Sequence, residues 1–120
     1  MATLTEQVQA ALNPVTPGGC FYGVNTKDLN ELTVYPFLVF IKVVSTVNNT
    51  LAGPTDIQNT RIQVDLYNDT IAGIEQYGPL VVAAMAAAFP QSIQLSSDDA
   101  YESEVRVFRR VTHFSVWSTN

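Results

Sequence analysis

Residues 105–118, VRVFRRVTHFSVWS, alternate side-chain character with a period of two, the signature of a long β-strand. Phe108, Thr112, Phe114 and Val116 fall on one face; Arg109, Val111, His113 and Trp117 fall on the other. A strand this long and apolar is an aggregation edge if it stands alone, so it must pair with strands earlier in the chain. That requirement makes the chain a sheet protein before any other segment is considered.

Two upstream segments supply the pairing. Residues 37–47 are apolar on both faces except at Lys42, Ser45 and Thr46, as expected of a central strand covered by a helix on one side and by other protein on the other. Tyr35–Pro36 before it favours an extended approach. Residues 48–55, NNTLAGPT, read as the tip of a long hairpin, with Asn and Gly tolerant of positive φ and Pro54 expected to break pairing. Residues 60–67 then return with clean alternation. Ile62, Val64 and Leu66 are expected inward, and Arg61, Gln63, Asp65 and Tyr67 outward.

The remaining segments carry helix and turn signals. Thr3 or Thr5 can cap a first helix with Leu4, Val8, Ala11 and Leu12 on one side, ended by Asn13–Pro14. Residues 20–24 suit a short strand and residues 25–32 a polar surface loop. Asn68, Asp69 and Thr70 each offer a cap for a long helix with Ile74, Tyr77, Val81, Ala84, Met85 and Ala88 on its apolar side. Pro79 is expected to kink or break that helix, because proline lacks a donor and crowds the preceding turn. Ile93 and Leu95 suit a short strand, and residues 96–104 an acidic connector. The order α-β-β-β-α-β-β, with hairpin-joined strands, predicts an α+β fold. It is one domain over residues 1–120, an antiparallel sheet with a long hairpin and two helices packed on one face.

Composition narrows the function. Only 14% of the 120 residues are charged while 47% are hydrophobic, thin cover for a monomer and a pointer to surface hidden in an oligomer. Net charge is −5, which argues against clamping nucleic acid, since phosphate neutralisation needs a basic footprint. It permits DNA to slide past a wall that does not attract it. Cys20 has no second cysteine to pair with and reads as a small buried hydrophobe. No Cys/His cluster has metal-ligand spacing, and no cofactor motif is present. The N-terminus lacks a secretory pattern, and the apolar run at residues 79–90 is too short to span a bilayer, so a soluble, cytoplasm-made protein is expected.

Chemistry is sparse. His113 is the sole histidine and lies mid-strand, where local packing is a better account than catalysis. Asp98, Asp99, Glu102 and Glu104 form the densest acidic group and read as a solvated connector. Arg61, Gln63 and Asp65 share a strand face with Tyr67 and suit cross-strand or subunit contacts. Arg109 and Arg110 point to opposite faces, so one of them must be paired or at an interface if both faces are covered.

Taken in order, the YP-apolar strand, the R-x-Q-x-D-x-Y strand at residues 61–67, the helix after Thr70 and the terminal F-x-V-W of residues 114–117 resemble the small phage tail-completion proteins, also called tail terminators or head-to-tail joining proteins. Gene transfer agents carry similar proteins. The resemblance spans residues 4–118. It implies an α+β virion structural protein with no enzymatic role, sited at the head-proximal end of the tail and made in the host cytoplasm. It further implies a homo-oligomeric ring, a hexamer, that caps the tail tube protein and meets the head connector or stopper, with DNA crossing the lumen unbound and no membrane involved. The interface residues expected on this reading are Asn48, Asn49, Thr50, Leu51, Pro54 and Asp56 on the hairpin, with Arg61, Gln63 and Asp65 on the strand face. A neck adaptor or stopper at the same junction is a neighbouring possibility. A rival from another class is a ligand-binding or enzymatic α+β dimer using the face around Arg61, Tyr67 and His113.

Overall fold

The computed structural model describes residues 3–23, 34–50, 53–103 and 106–119. Its elements run α1 (Leu4–Leu12), β1 (Cys20–Tyr22), β2 (Phe37–Thr50), β3 (Gly53–Asn68), α2 (Ile71–Ala88), β4 (Ile93–Glu102) and β5 (Val107–Thr119). The five strands form one sheet in the order β1-β2-β3-β5-β4. The alternating terminal run is paired on both sides, with β3 from Ile57↔Thr119 to Asn68↔Phe108 and with β4 from Ile93↔Ser115 to Glu102↔Val107. At about 3.3 Å per residue the sixteen residues of β3 account for the longest dimension, 52 Å.

Both helix starts follow the sequence. Thr3 caps α1 in a reciprocal box with Glu6: Thr3 Oγ1 accepts from the Glu6 amide at 3.2 Å, and the Glu6 carboxylate accepts from Thr3. Of the three potential caps before α2, Thr70 is the one used, its hydroxyl accepting the Gly73 N–H at 3.2 Å. The two helices lie on one face of the sheet over a single core. Val8 and Leu12 come from α1, Ile74, Val81 and Met85 from α2, and Leu38, Phe40, Ile62, Val64, Leu66, Phe114 and Val116 from the strands. Each large side chain buried there is worth roughly 1.5–3 kcal/mol. The inward set Ile62, Val64 and Leu66 is as the alternation predicted. Cys20 is buried, and its thiol is pushed up to about 12 by that burial.

The α+β, mostly antiparallel fold is as expected, with one refinement: β1 runs parallel to β2, so the sheet is mixed. Gly18 brings β1 in close, since a Cβ there would meet the Val34 and Pro36 carbonyl oxygens. The polar loop expected at residues 25–32 lies outside the described residues. Several other expectations need correction. The hairpin ladder continues to Asn49↔Pro54 and Thr50↔Gly53, so Pro54 does not break pairing. It stands second in β3 beside the irregularity at Val47/Asn49, where a missing donor is tolerated.

α2 passes through Pro79 as one helix, with Pro79 on its exposed side. Ala88 is exposed instead of facing the sheet, while Ala84 does pack against the core. Residues 96–102 are not a connector but the greater part of β4, because β5 offers them an arginine-rich partner along its whole length. By length and composition α2 could also cross a membrane, beyond the twelve-residue run read from sequence, although its Ile74, Val81 and Met85 are committed to the core.

Candidate interaction face

The sheet face opposite the helices has no element across it among the described residues, and the strand register assigns its rows. Phe37, Tyr67 and Arg109 form one row; Val39, Asp65, Val111 and Asp98 the next; Ile41, Gln63, His113 and Ser96 the third; Arg61 and Ser115 follow, then Asn59 and Trp117. Such a face is expected to be polar and wet when it meets solvent. Here it is not. Val39 and Asp65 are buried, Tyr67, Gln63, Arg61, Arg109, Val111 and His113 are half-buried, and Trp117 stands 43% exposed at the rim.

Asp65 lies on the face away from the helices, as the alternation predicted, yet it is only 7% exposed, and its partners explain how a carboxylate is kept there. Arg109 Nη2 donates to Asp65 Oδ2 at 3.0 Å, and Gln63 Nε2 donates to Asp65 Oδ1 at 3.1 Å. Arg109 Nη1 also reaches Glu102 Oε1 at 3.4 Å, which ties the edge strand to the centre of the sheet. The Arg109 guanidinium lies 5.8 Å from the Tyr67 ring centre, and Tyr67 stacks on Phe37 at 5.0 Å and 16°. Burial works against the charge on Arg109, but Asp65, Tyr67 and Glu102 together more than offset it, so its pKa is raised. Burial also raises the Tyr67 phenol, with Arg109 pulling the other way. These side chains rim an open groove of about 430 Å³ along Phe37, Val39, Gln63, Asp65, Tyr67 and Arg109.

Three polar atoms on this face are buried with no hydrogen-bond partner among the described residues: Arg61 Nε, Arg109 Nε and His113 Nδ1. Arg109 is otherwise paired. Arg61 and His113 are not bonded through their side chains to any described residue.

Both arginines of the terminal strand are paired, one on each face. On the helix side Arg110 Nε donates to Asp99 Oδ1 at 2.7 Å and Arg110 Nη2 to Asp99 Oδ2 at 3.0 Å. That bidentate contact holds the Asp99 carboxyl below the usual carboxylate range. Gly78 is what admits Arg110 beneath α2, since a Cβ there would collide with the guanidinium. So two of the acidic residues read as a solvated connector are structural partners of β5; Glu104 lies outside the described residues.

Of the interface residues expected from sequence, Arg61, Gln63 and Asp65 are on this face together. Asn48, Asn49, Thr50, Pro54 and Asp56 lie at the far end of the β2–β3 hairpin; Leu51 and the side chains at these hairpin positions are outside the described residues. The rival trio does not converge: Tyr67 and Arg61 are six residues apart on one strand, about 20 Å, with His113 opposite Gln63 between them. Among the described residues no three His, Cys, Asp or Glu side chains group as metal ligands. Sequence reasoning marked Arg109 as a residue that could need a partner, but it missed the partners, Asp65 and Glu102, and the Phe37–Tyr67 stack. The available signal was that Tyr67 and Arg109 fall in one row once the two alternating strands are paired.

A family model described as "Tail completion protein gp17" matches residues 4–119. No curated protein matches the chain.

Proposed function

The chain belongs to the tail completion protein gp17 family, structural components of the phage tail that contact other tail parts, and from that premise we propose that it is a ring-forming terminator. In this reading a homo-oligomer, a hexamer, caps the finished tail tube at its head-proximal end. It stops further tube subunits from adding and offers a surface to the head connector or stopper, with DNA passing through its hole. It acts as a single domain over residues 1–120, made in the host cytoplasm, without enzymatic activity.

The observation that carries the reading is the uncovered sheet face. Its aromatics, its paired charges and an Arg61 whose Nε has no partner among the described residues are the composition of a protein interface core, where Tyr, Trp and Arg are enriched. Arg61, Gln63 and Asp65 are contact residues on this reading, and Asn48, Asn49, Thr50, Leu51, Pro54 and Asp56 at the hairpin end are reach-out contacts to a neighbour or to the tube. The acidic balance, −5, fits a lumen that DNA crosses without adhering.

The test is complementation of a phage lacking the gene. The intact chain should restore joined particles and infectious titre. A chain with residues 49–55 replaced by a short Gly-Ser turn should fold, by its melt, and leave heads and tails unjoined in electron micrographs. Normal titres from the shortened chain would remove the hairpin from the interface. Tails of normal length joined to heads in the gene's absence would remove the terminator role.

A further inference from the structure

α2 is largely apolar beyond Glu75 and Gln76, yet only one side of it is buried. Ile74, Gly78, Val81 and Met85 face the core, while Ala72, Pro79, Leu80, Ala83 and Ala87 form an outer face open to solvent, with Leu80 48% exposed. No charged residue occurs anywhere in residues 76–97, and Glu75 is the sole charge on the helix. A solvent-facing helix normally carries a charged outer face, and one that is hydrophobic all round is normally covered.

The same molecule has a second surface in the same condition on its opposite side: the uncovered sheet face, half-buried, rimmed by exposed Trp117 and carrying Arg61 without a carboxylate partner among the described residues. We propose that the outer face of α2 in one copy packs on the uncovered sheet face of a second copy, head to tail.

Three features fit one surface to the other. The outer alanines, Ala72, Ala83 and Ala87, are small enough to let the helix lie close to a sheet. The apolar Val39, Ile41 and Val111 run along the sheet face where Leu80 and Ala83 would settle. Arg61 is a cation on the sheet face whose Nε has no partner among the described residues, and Glu75, exposed and in the field of Arg110 of its own chain, is the anion on the helix. The contact turns a sheet covered on one side into one covered on both, as the doubly apolar β2 demands. Its two halves are different surfaces, so it is heterologous and propagates; closure, which rests on the ring reading above, needs only that the rotation return to its start. A bilayer is a poorer occupant of the helix face, because α2 has no Lys or Arg to meet headgroups and a membrane would leave Arg61 uncovered.

The experiment is light scattering on purified chain after gel filtration, with circular dichroism as the folding check. Wild type should form species larger than a dimer. Leu80→Asp, which spoils the helix face, and Arg61→Glu or the rim substitution Trp117→Glu, which spoil the sheet face, should each be folded monomers. Mixing a helix-face variant with a sheet-face variant should give a one-to-one heterodimer that grows no further, because each retains the half the other lacks. Arg61→Glu combined with Glu75→Arg in one chain should restore assembly. A monomeric wild type at every concentration, single variants that assemble like wild type, or a mixture that stays monomeric would each overturn the assignment. So would α2-dependent flotation on anionic vesicles that Leu80→Asp abolishes. If the variants assemble normally while a phage lacking the gene still fails to join tails, the docking assignment falls and the terminator role stands.

Discussion

Removing the Asp65 carboxylate should cost the fold about 2–3 kcal/mol, close to the range for breaking a buried ion pair by deleting one partner. At 3.0 Å from Arg109 the gross attraction is roughly 5–6 kcal/mol for an effective dielectric near 20, and the desolvation of both groups cancels much of it. What deletion exposes is the uncompensated remainder. In Asp65→Ala the Arg109 side chain, 29% exposed, keeps only the longer contact to Glu102, and the Gln63 amide loses its acceptor. Those two features place the cost below the upper end of the range. Asp65→Asn keeps the volume and one acceptor, so about half the loss is expected, ~1–1.5 kcal/mol. The assay is urea unfolding with linear extrapolation, repeated at two protein concentrations so that assembly does not enter the difference. For a chain of this size a 2 kcal/mol loss lowers Tm by roughly 6–10 °C. Arg109→Met alone and with Asp65→Ala completes a cycle whose coupling should reach about 1–2 kcal/mol. An Asp65→Ala cost within about 0.5 kcal/mol of zero, or strictly additive single effects, would show that the face is wet and the pair merely superficial.

Three further outcomes follow from the same geometry. Asp99 has its folded-state pKa depressed by Arg110, so its contribution is present above the ordinary aspartate pKa and lost as pH falls through the depressed value; acid unfolding of Asp99→Asn should be shallower below about pH 4. Cys20, with its thiol pushed up to about 12, should resist alkylation at mildly alkaline pH in the native protein and react at once in urea. Ala84→Leu should overpack the core side of α2 and cost about 1–3 kcal/mol, whereas Ala87→Leu on the outer face should leave the monomer's urea midpoint unchanged.

The sequence by itself determined the local events, because they depend on neighbours a few residues away. The two helix starts, to within the few residues that offered caps, the period of two in β3 and β5, and the inward choice of Ile62, Val64 and Leu66 were all legible. So were the α+β order and the tail-completion family, which needs only the order and spacing of its segments. What it left open depends on pairing. Residues 96–102 look like an acidic loop until β5 lies beside them, and only then do Asp99 and Glu102 become the partners of Arg110 and Arg109. Asp65 reads correctly as an outward polar residue, but its burial and its Arg109 partner appear only once the antiparallel register sets it against Val39 and Val111 with Arg109 one row away. Pro79 reads as a break until the helix turns it toward the open side. Asp65 meets Arg109 44 residues away, and even the nearer pairs Asp99–Arg110 and Glu102–Arg109 form only where the sheet register, which alternation alone does not fix, sets β4 beside β5.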